Sequence, residues 1–161
     1  MGSAGTAGQS AVSPLLVDYD TSYLDPLLRL WREAFEFGVG VTDPHSLTEQ
    51  RDYFISEVLP ANRVTLALLP SRLVGFIAAS PESVAQLHVQ VGLHRQGIGS
   101  GLLDLAKARS GGSLWLFAFA RNLRACRFYE KHGFVVVARG FEPTWQLEDV
   151  KYHWSAEAGG A

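Results

Sequence analysis

The sequence predicts an α/β fold in which helices pack on a mixed sheet. Three observations predict it. Short β-prone runs alternate with stretches whose apolar residues recur at helical spacing, three successive strands form a meander in mid-chain, and a continuous apolar run, Leu114 to Ala120, is bounded by turn signals.

Leu15, Leu16 and Val17 form a first short strand. Thr21 or Ser22 then offers a cap for a helix carrying Leu24, Leu27, Leu28, Trp31 and Phe35 on one stripe, predicted to run to about Gly38. Ser46 and Glu49 have the spacing of a capping box, so a second helix is expected after Pro44 and before Pro60. Val64 to Leu69 and Leu73 to Ala79 flank Pro70, Ser71 and Arg72 as a hairpin, and Val84 to Val91 follows as the third strand of the meander. In that strand Leu87, Val89 and Val91 alternate with Gln86, His88 and Gln90, which gives one apolar and one polar face. Leu102, Leu103 and Ala106 mark a helix from Gly99 to Ser110, stopped by Gly111 and Gly112. Leu114 to Ala120 reads as a buried central strand, with Trp115, Phe117 and Phe119 as packing residues. Leu123 to His132 reads as a helix ending at Gly133, and Phe134 to Ala138 and Leu147 to Trp154 as the last two strands.

A chain of 161 residues, 47% hydrophobic and 19% charged, is long enough for one domain with a sizeable core and too short for two ordinary ones. Its formal charge of −2 leaves no basic field to attract nucleic acid or an anionic membrane. No apolar run approaches the roughly 18 residues that span a bilayer, and the lone Cys126 excludes an intramolecular disulfide. These features predict a soluble protein of a reducing, cytoplasmic compartment. Met1 to Ala11 has almost nothing to bury and lacks the apolar stretch of a secretory signal, so it reads as a disordered tail. Residues 156–161 read as a flexible C-terminal tail for the same reason.

The segment His94-Arg95-Gln96-Gly97-Ile98-Gly99-Ser100-Gly101 lies between a strand and a helix. Unpaired N–H groups and the positive end of a helix dipole make such a place an anion site, and glycine allows close approach of a phosphate. A Rossmann fingerprint would place its third glycine at Leu102, and no Gly-Lys-Ser/Thr follows to make a Walker loop.

Leu87-His88-Val89 followed by Arg95-Gln96-Gly97-Ile98-Gly99-Ser100 resembles the acetyl-CoA motif of the GCN5-related N-acetyltransferase (GNAT) family. The family pattern is Gln/Arg-x-x-Gly-x-Gly/Ala after a strand, and here the Gln/Arg position is His94, with Arg95 as a neighbouring cation. Downstream, Asn122-x-x-Ala125-x-x-Phe128-Tyr129-x-Lys131-x-Gly133-Phe134 is similar to the next strand-helix-strand segment of that family. The resemblance is good over residues 64 to 138 and implies one GNAT acetyltransferase domain over 12–155. It implies coenzyme A as cofactor, held by the loop amides of residues 94–100, and acetyl transfer from acetyl-CoA to a primary amine in a ternary complex. The acceptor would be a small-molecule or peptide amine, and a homodimer is left open. A non-catalytic acyl-CoA binding or sensing module on the same fold is the alternative, and a partner-binding subunit is a third.

Acyl transfer to an amine needs a neutral nucleophile, donors for an oxyanion and a proton for the departing thiolate. By resemblance, the backbone N–H near Val89 polarises the thioester carbonyl, Leu87 beside it is a cofactor-binding residue, and Tyr129 is the general acid. Packing on the helix face is the other role open to Tyr129. Asn122 would bond the pantetheine arm or cap the following helix. His88 is the one ordinary titrating base on its strand, and is either the acceptor of the amine proton or a structural histidine. Glu33, Glu36, Asp43 and His45 cluster around the interhelical loop, where the family binds its acceptor, and a solvated helix end would also explain them. No metal ligand set is nominated.

Overall fold

Strand β1, Leu15–Asp18, lies at the edge of a four-stranded antiparallel sheet ordered β1-β2-β3-β4, with β2 at Arg63–Leu68, β3 at Leu73–Ala79 and β4 at Val84–Val89. A second antiparallel sheet is ordered β5-β7-β6, from β5 at Ser113–Phe119, β6 at Val135–Glu142 and β7 at Leu147–Ser155. The structure, a computed structural model, describes residues 13–157. The expected tails lie outside those residues, except that Ala156 and Glu157 form a turn after β7.

Among the described residues the two sheets are bridged only at the start of β4 and β5. There Ser83 and Trp115 form a parallel bridge, and Trp115 N–H donates to Glu82 O at 3.0 Å. Past that point the strands part. The expected mixed sheet is thus two antiparallel sheets joined by one parallel contact.

Helix α1, Leu24–Val39, buries Leu27, Leu28, Leu30 and Trp31 against the first sheet and ends at Gly40, whose φ of 77° lets its N–H reach Glu36 O. Its entry differs from the sequence reading. Asp20, rather than Thr21 or Ser22, is the cap, and accepts from Ser22 N–H at the head of a 3-10 turn that leads into α1. Ser46 caps α2, Leu47–Tyr53, by accepting from Glu49 N–H at 3.1 Å. The helical path then continues past the expected stop at Pro60, through a π turn at Phe54–Val58 into α3, Leu59–Ala61. The π turn bonds Leu59 N–H to Phe54 O, and Pro60 falls in the first turn of α3.

Helices α4, Ile98–Arg109, and α5, Leu123–Lys131, cover the opposite face and share a core with both sheets around Ile98, Leu102, Leu114, Leu116, Phe134 and Tyr152. β5 is less buried than its composition suggests. Leu114 and Leu116 point into the core, whereas Trp115 and Phe117 stand on the other face, which continues into the cleft at Phe119, at 38% and 56% exposure and with Lys151 Nζ over both rings. β4 ends two residues sooner than expected and β6 runs four residues further.

Candidate active site

The parting of β4 from β5 opens the molecule at a strand edge. Gln90 N–H donates to Val74 O at 2.9 Å, so alternation along the antiparallel ladder also directs the amide of His88 toward β3. The amides of Leu87 and Val89 consequently face the other way, into the gap beside β5. Two of the expected binding residues therefore present main-chain donors where no strand pairs with them.

After β4 the chain reverses through Leu93 N–H to Gln90 O, and enters α4 with left-handed φ at Arg95 (66°) and Gly97 (84°). Gly97 is the N-cap and provides no side-chain bond, and the first bond into it comes from Gly101 N–H at 3.0 Å. The N–H groups of Ile98, Gly99 and Ser100 are left without helical partners, at the positive end of a 12-residue helix. Gly97 is needed for its backbone conformation, since open space surrounds the place a Cβ would take. Gly99 is needed for packing, because a Cβ there would stand 3.3 Å from the Phe128 ring. Ser100 directs its hydroxyl to His132 Nε2 at 3.0 Å, while Arg95 is exposed and Gln96 half-buried. His94 stacks on Phe37 with ring centroids 6.1 Å apart, and its buried Nδ1 has no hydrogen-bond partner. Burial and the nearby Arg124 push its pKa below the usual histidine value.

A cleft of about 770 Å³ fills the space between the parted strands, walled by β4 and β5, α1 and α2, α5 and the β6–β7 turn. Tyr129 lines it at 8% exposure, its ring packed against Phe128, Phe134 and Tyr152. Of the two roles open to Tyr129 from sequence, the packing role is seen directly in these ring contacts. Burial, and secondarily Cys126, raise its pKa, so the phenol stays protonated through the neutral range. Asn122 also lines the cleft and caps α5, its Oδ1 accepting from Ala125 N–H at 3.2 Å.

His88 sits between Trp31 and Phe76, with centroid distances of 6.1 and 5.6 Å. Its Nε2 lies 2.8 Å from Gln86 Oε1. An amide oxygen only accepts, so Nε2 is the donor and the neutral ring keeps Nδ1 as acceptor. Burial pushes the His88 pKa down to about 4. The histidine-like transition expected from sequence therefore moves far below neutrality.

Of the residues expected around the acceptor, Asp43 and His45 line the cleft and hold each other through Nδ1 and Oδ1 at 2.9 Å. Arg32 steadies them from behind by donating to His45 O and approaching Asp43 at 4.0 Å. Glu36 stands behind the wall and accepts from Asp43 N–H, and Glu33 lies on the exposed side of α1 away from the cleft. Sequence reasoning missed the far wall. Glu142, Trp145 and Asp149 enter from the β6–β7 hairpin, and Glu142 accepts from Trp145 N–H at 2.6 Å. Trp145 packs on Phe35 at 4.9 Å and His45 at 5.3 Å. A tryptophan at a hairpin tip, with no core nearby in sequence, was the available signal.

The sequence profile described as the Acetyltransferase (GNAT) family matches residues 24–134, which contain both walls of the gap, the α4 loop and α5. The chain belongs to the GNAT acetyltransferase family. Solved structures share the GNAT fold over most of their length. A GCN5-related N-acetyltransferase from Rhodopseudomonas palustris is 20% identical, with a TM-score of 0.72 over 90% of this chain and 97% of that one. The apo form of YjaB from Escherichia coli is 18% identical, with a TM-score of 0.73 over 89% and 98%. PaiA N-acetyltransferase from Thermoplasma acidophilum, solved in complex with coenzyme A, is 18% identical, with a TM-score of 0.72 over 89% and 99%. No curated protein matches the sequence at a significant level. The residues present in this GNAT chain fit a coenzyme A thioester, with free amides at the α4 N-terminus and unpaired strand amides at Leu87 and Val89 on the strand that leads into it. Among the described residues no helix is long and apolar enough to cross a membrane.

Proposed function

We propose that this GNAT protein moves an acetyl group from acetyl-CoA to a primary amine, by direct attack while both are bound, and that residues 12–155 form the cytoplasmic catalytic domain. The observation that carries the reading is the parting of β4 from β5 beside the uncapped start of α4, with Tyr129 buried in the same cleft.

The main-chain N–H groups of residues 94–100 would hold the pyrophosphate, and Asn122 would meet the pantetheine arm through its free amide nitrogen. Bound there, the coenzyme supplies an activated acyl thioester. Val89 N–H, with Leu87 N–H beside it, faces the gap and would donate to the acyl oxygen as charge develops on it. The amine nitrogen bonds to the acyl carbon, the carbon–sulfur bond breaks, and the sulfur takes a proton. Tyr129 is the donor for that sulfur. Its raised pKa keeps the hydroxyl proton in place until the thiolate appears.

The amine arrives protonated and must lose its proton to attack. His88 is neutral over the whole working range, and its Nδ1 can accept a hydrogen bond from the amine. A base near 4 does not retain a proton from an amine near pKa 10, so the proton passes on to water. His88 thereby orients the nucleophile and starts the proton on its way out. Asp43 and His45, braced by Glu36, form the near wall of the acceptor site.

Thiol release from acetyl-CoA, measured over a panel of primary amines and corrected for hydrolysis, tests the proposal. Amine-dependent release supports it. Coenzyme A binding without release to any amine would favour a sensing module instead.

A further inference from the structure

The acceptor end of the cleft carries charge of one sign. Asp43, Glu49, Glu142 and Asp149 line it, and no lysine or arginine does. The chain as a whole is nearly balanced, with 14 basic and 16 acidic residues, so this concentration belongs to the cleft. Arg32 and Lys151 border it, each engaged by another group. Arg32 bonds Gln50 and His45 O behind Asp43, and Lys151, on the same face of β7 as Asp149, stands over the Trp115 and Phe117 rings and forms no ion pair with Asp149. Among the described residues, Glu49, Glu142 and Asp149 have no basic side chain within salt-bridge distance, apart from whatever enters the cleft.

The remaining lining is aromatic at the same end. Trp145 lies against Phe35 at 4.9 Å and within 6.4 Å of Phe119. On β7, Asp149 is register partner to both Phe119 on β5 and Gly140 on β6, and its carboxylate leans over Gly140, where a Cβ would stand 2.9 Å from Oδ1. A carboxylate and indole faces together select ammonium over neutral and anionic groups. Tyr129 also lines the cleft, 8% exposed and with no hydrogen bond from its hydroxyl to the protein, and on the transferase reading it marks where the reacting groups sit.

Resting on the transferase reading above, we infer that the acceptor is an aliphatic diamine or polyamine. One nitrogen is acetylated near Tyr129 while a second ammonium is held by Glu142, Asp149 and the Trp145 ring. An acceptor with a carboxylate at that distance is repelled, which excludes ordinary amino acids with a free carboxyl end. Glu142 is fixed for this role by the Trp145 N–H, which leaves its other oxygen for the ligand.

Three ligands of one chain length isolate the claim: 1,4-diaminobutane, butylamine and 4-aminobutanoate present a cation, a methyl group and an anion at the far end. Calorimetric titration of the coenzyme A-loaded wild-type protein with each reads binding without turnover, and the expected order is diamine, then butylamine, then the amino acid. The diamine should bind at least about tenfold more tightly than butylamine, the change that about 1.4 kcal/mol makes, and added salt should narrow the gap. Asp149→Asn and Glu142→Gln should each erase most of that preference. Equal affinity for diamine and butylamine, a preference for 4-aminobutanoate, or a diamine preference that survives both substitutions together overturns the inference. Thiol release separates the two readings. A diamine preference in binding with no release from acetyl-CoA sinks the transferase and keeps the ligand class, whereas equal release with diamine and butylamine does the reverse.

Discussion

Gly38 on α1 lies against the Asn122 side chain, so closely that a Cβ on it would stand 2.7 Å from Asn122 Nδ2. Asn122 is also the cap of α5 and a wall of the cleft. One glycine on the first helix therefore allows the last helix to start where it does. Gly38→Ala should displace Asn122 and forfeit its cap, at about 1 kcal/mol, and the 2.7 Å clash adds to that loss, so together they exceed the gain in helix propensity and the variant is destabilised. Gly101 on α4 has open space around its missing Cβ, so Gly101→Ala should stabilise by about 0.5 to 1 kcal/mol. Denaturant melts of the two variants should move in opposite directions.

Gly97 caps α4 with a φ of 84°, and a Cβ on it would meet no atom within 4 Å. Gly97→Val has no steric neighbour to disturb, but forces a β-branched residue into the left-handed region, at a cost of at least about 1 to 2 kcal/mol. The loop should relax away from that conformation and turn its amides off the anion, so coenzyme A affinity should fall at least tenfold, by about 1.4 kcal/mol or more, while far-ultraviolet dichroism is unchanged. Gly99→Val is a less direct probe, since its effect runs through Phe128. Wild-type affinity in Gly97→Val removes the loop from the site.

Much of this site was local in sequence and some of it was not. The α4 loop was legible because a strand, a glycine-punctuated turn and a helix follow one another within a dozen residues, from Val89 to Gly101. The capping of α2 by Ser46 was legible for the same reason. The basicity of His88 was not, because the rings that bury it, Trp31 and Phe76, come from other elements. Glu142, Trp145 and Asp149 read as an ordinary turn and strand until β6 and β7 fold back beside β5. The exposure of Trp115 and Phe117 was likewise hidden, since an apolar run looks the same whether one face of the strand or both are covered.

Tyr129→Phe removes one oxygen from a ring whose packing against Phe134 and Tyr152 is otherwise kept. Coenzyme A affinity should stay within about twofold, and kcat should fall by roughly 10²- to 10⁴-fold. An unchanged kcat, measured where chemistry limits the rate, assigns the thiolate proton to another donor.

The depressed pKa of His88 has a sign that can be worked out. The unfolded chain binds the proton below about 6.5 and the folded chain only below about 4, so the unfolded state gains stability as pH falls through that window. Stability should therefore be full above pH 6.5 and decline toward pH 4, by about 3 kcal/mol from this residue. His88→Gln should flatten the decline, leaving the smaller slopes due to His94 and His132, whose pKa values burial also lowers. Activity that depends on neutral His88 should show its acid limb near 4 and none near 6.5. A limb near 6.5 that disappears in His88→Gln contradicts this assignment.

The most direct test of acetyl transfer follows the acetyl group itself. Acetyl-CoA labelled with ¹³C in the acetyl carbonyl is mixed with the protein and 1,4-diaminobutane, and the amine is analysed by mass spectrometry and carbon NMR while free thiol is counted. The account predicts labelled amide carbon on the diamine in one-to-one proportion to thiol released, and loss of both signals in Tyr129→Phe. Labelled free acetate with unmodified diamine, or no label leaving the thioester with any amine, would contradict it.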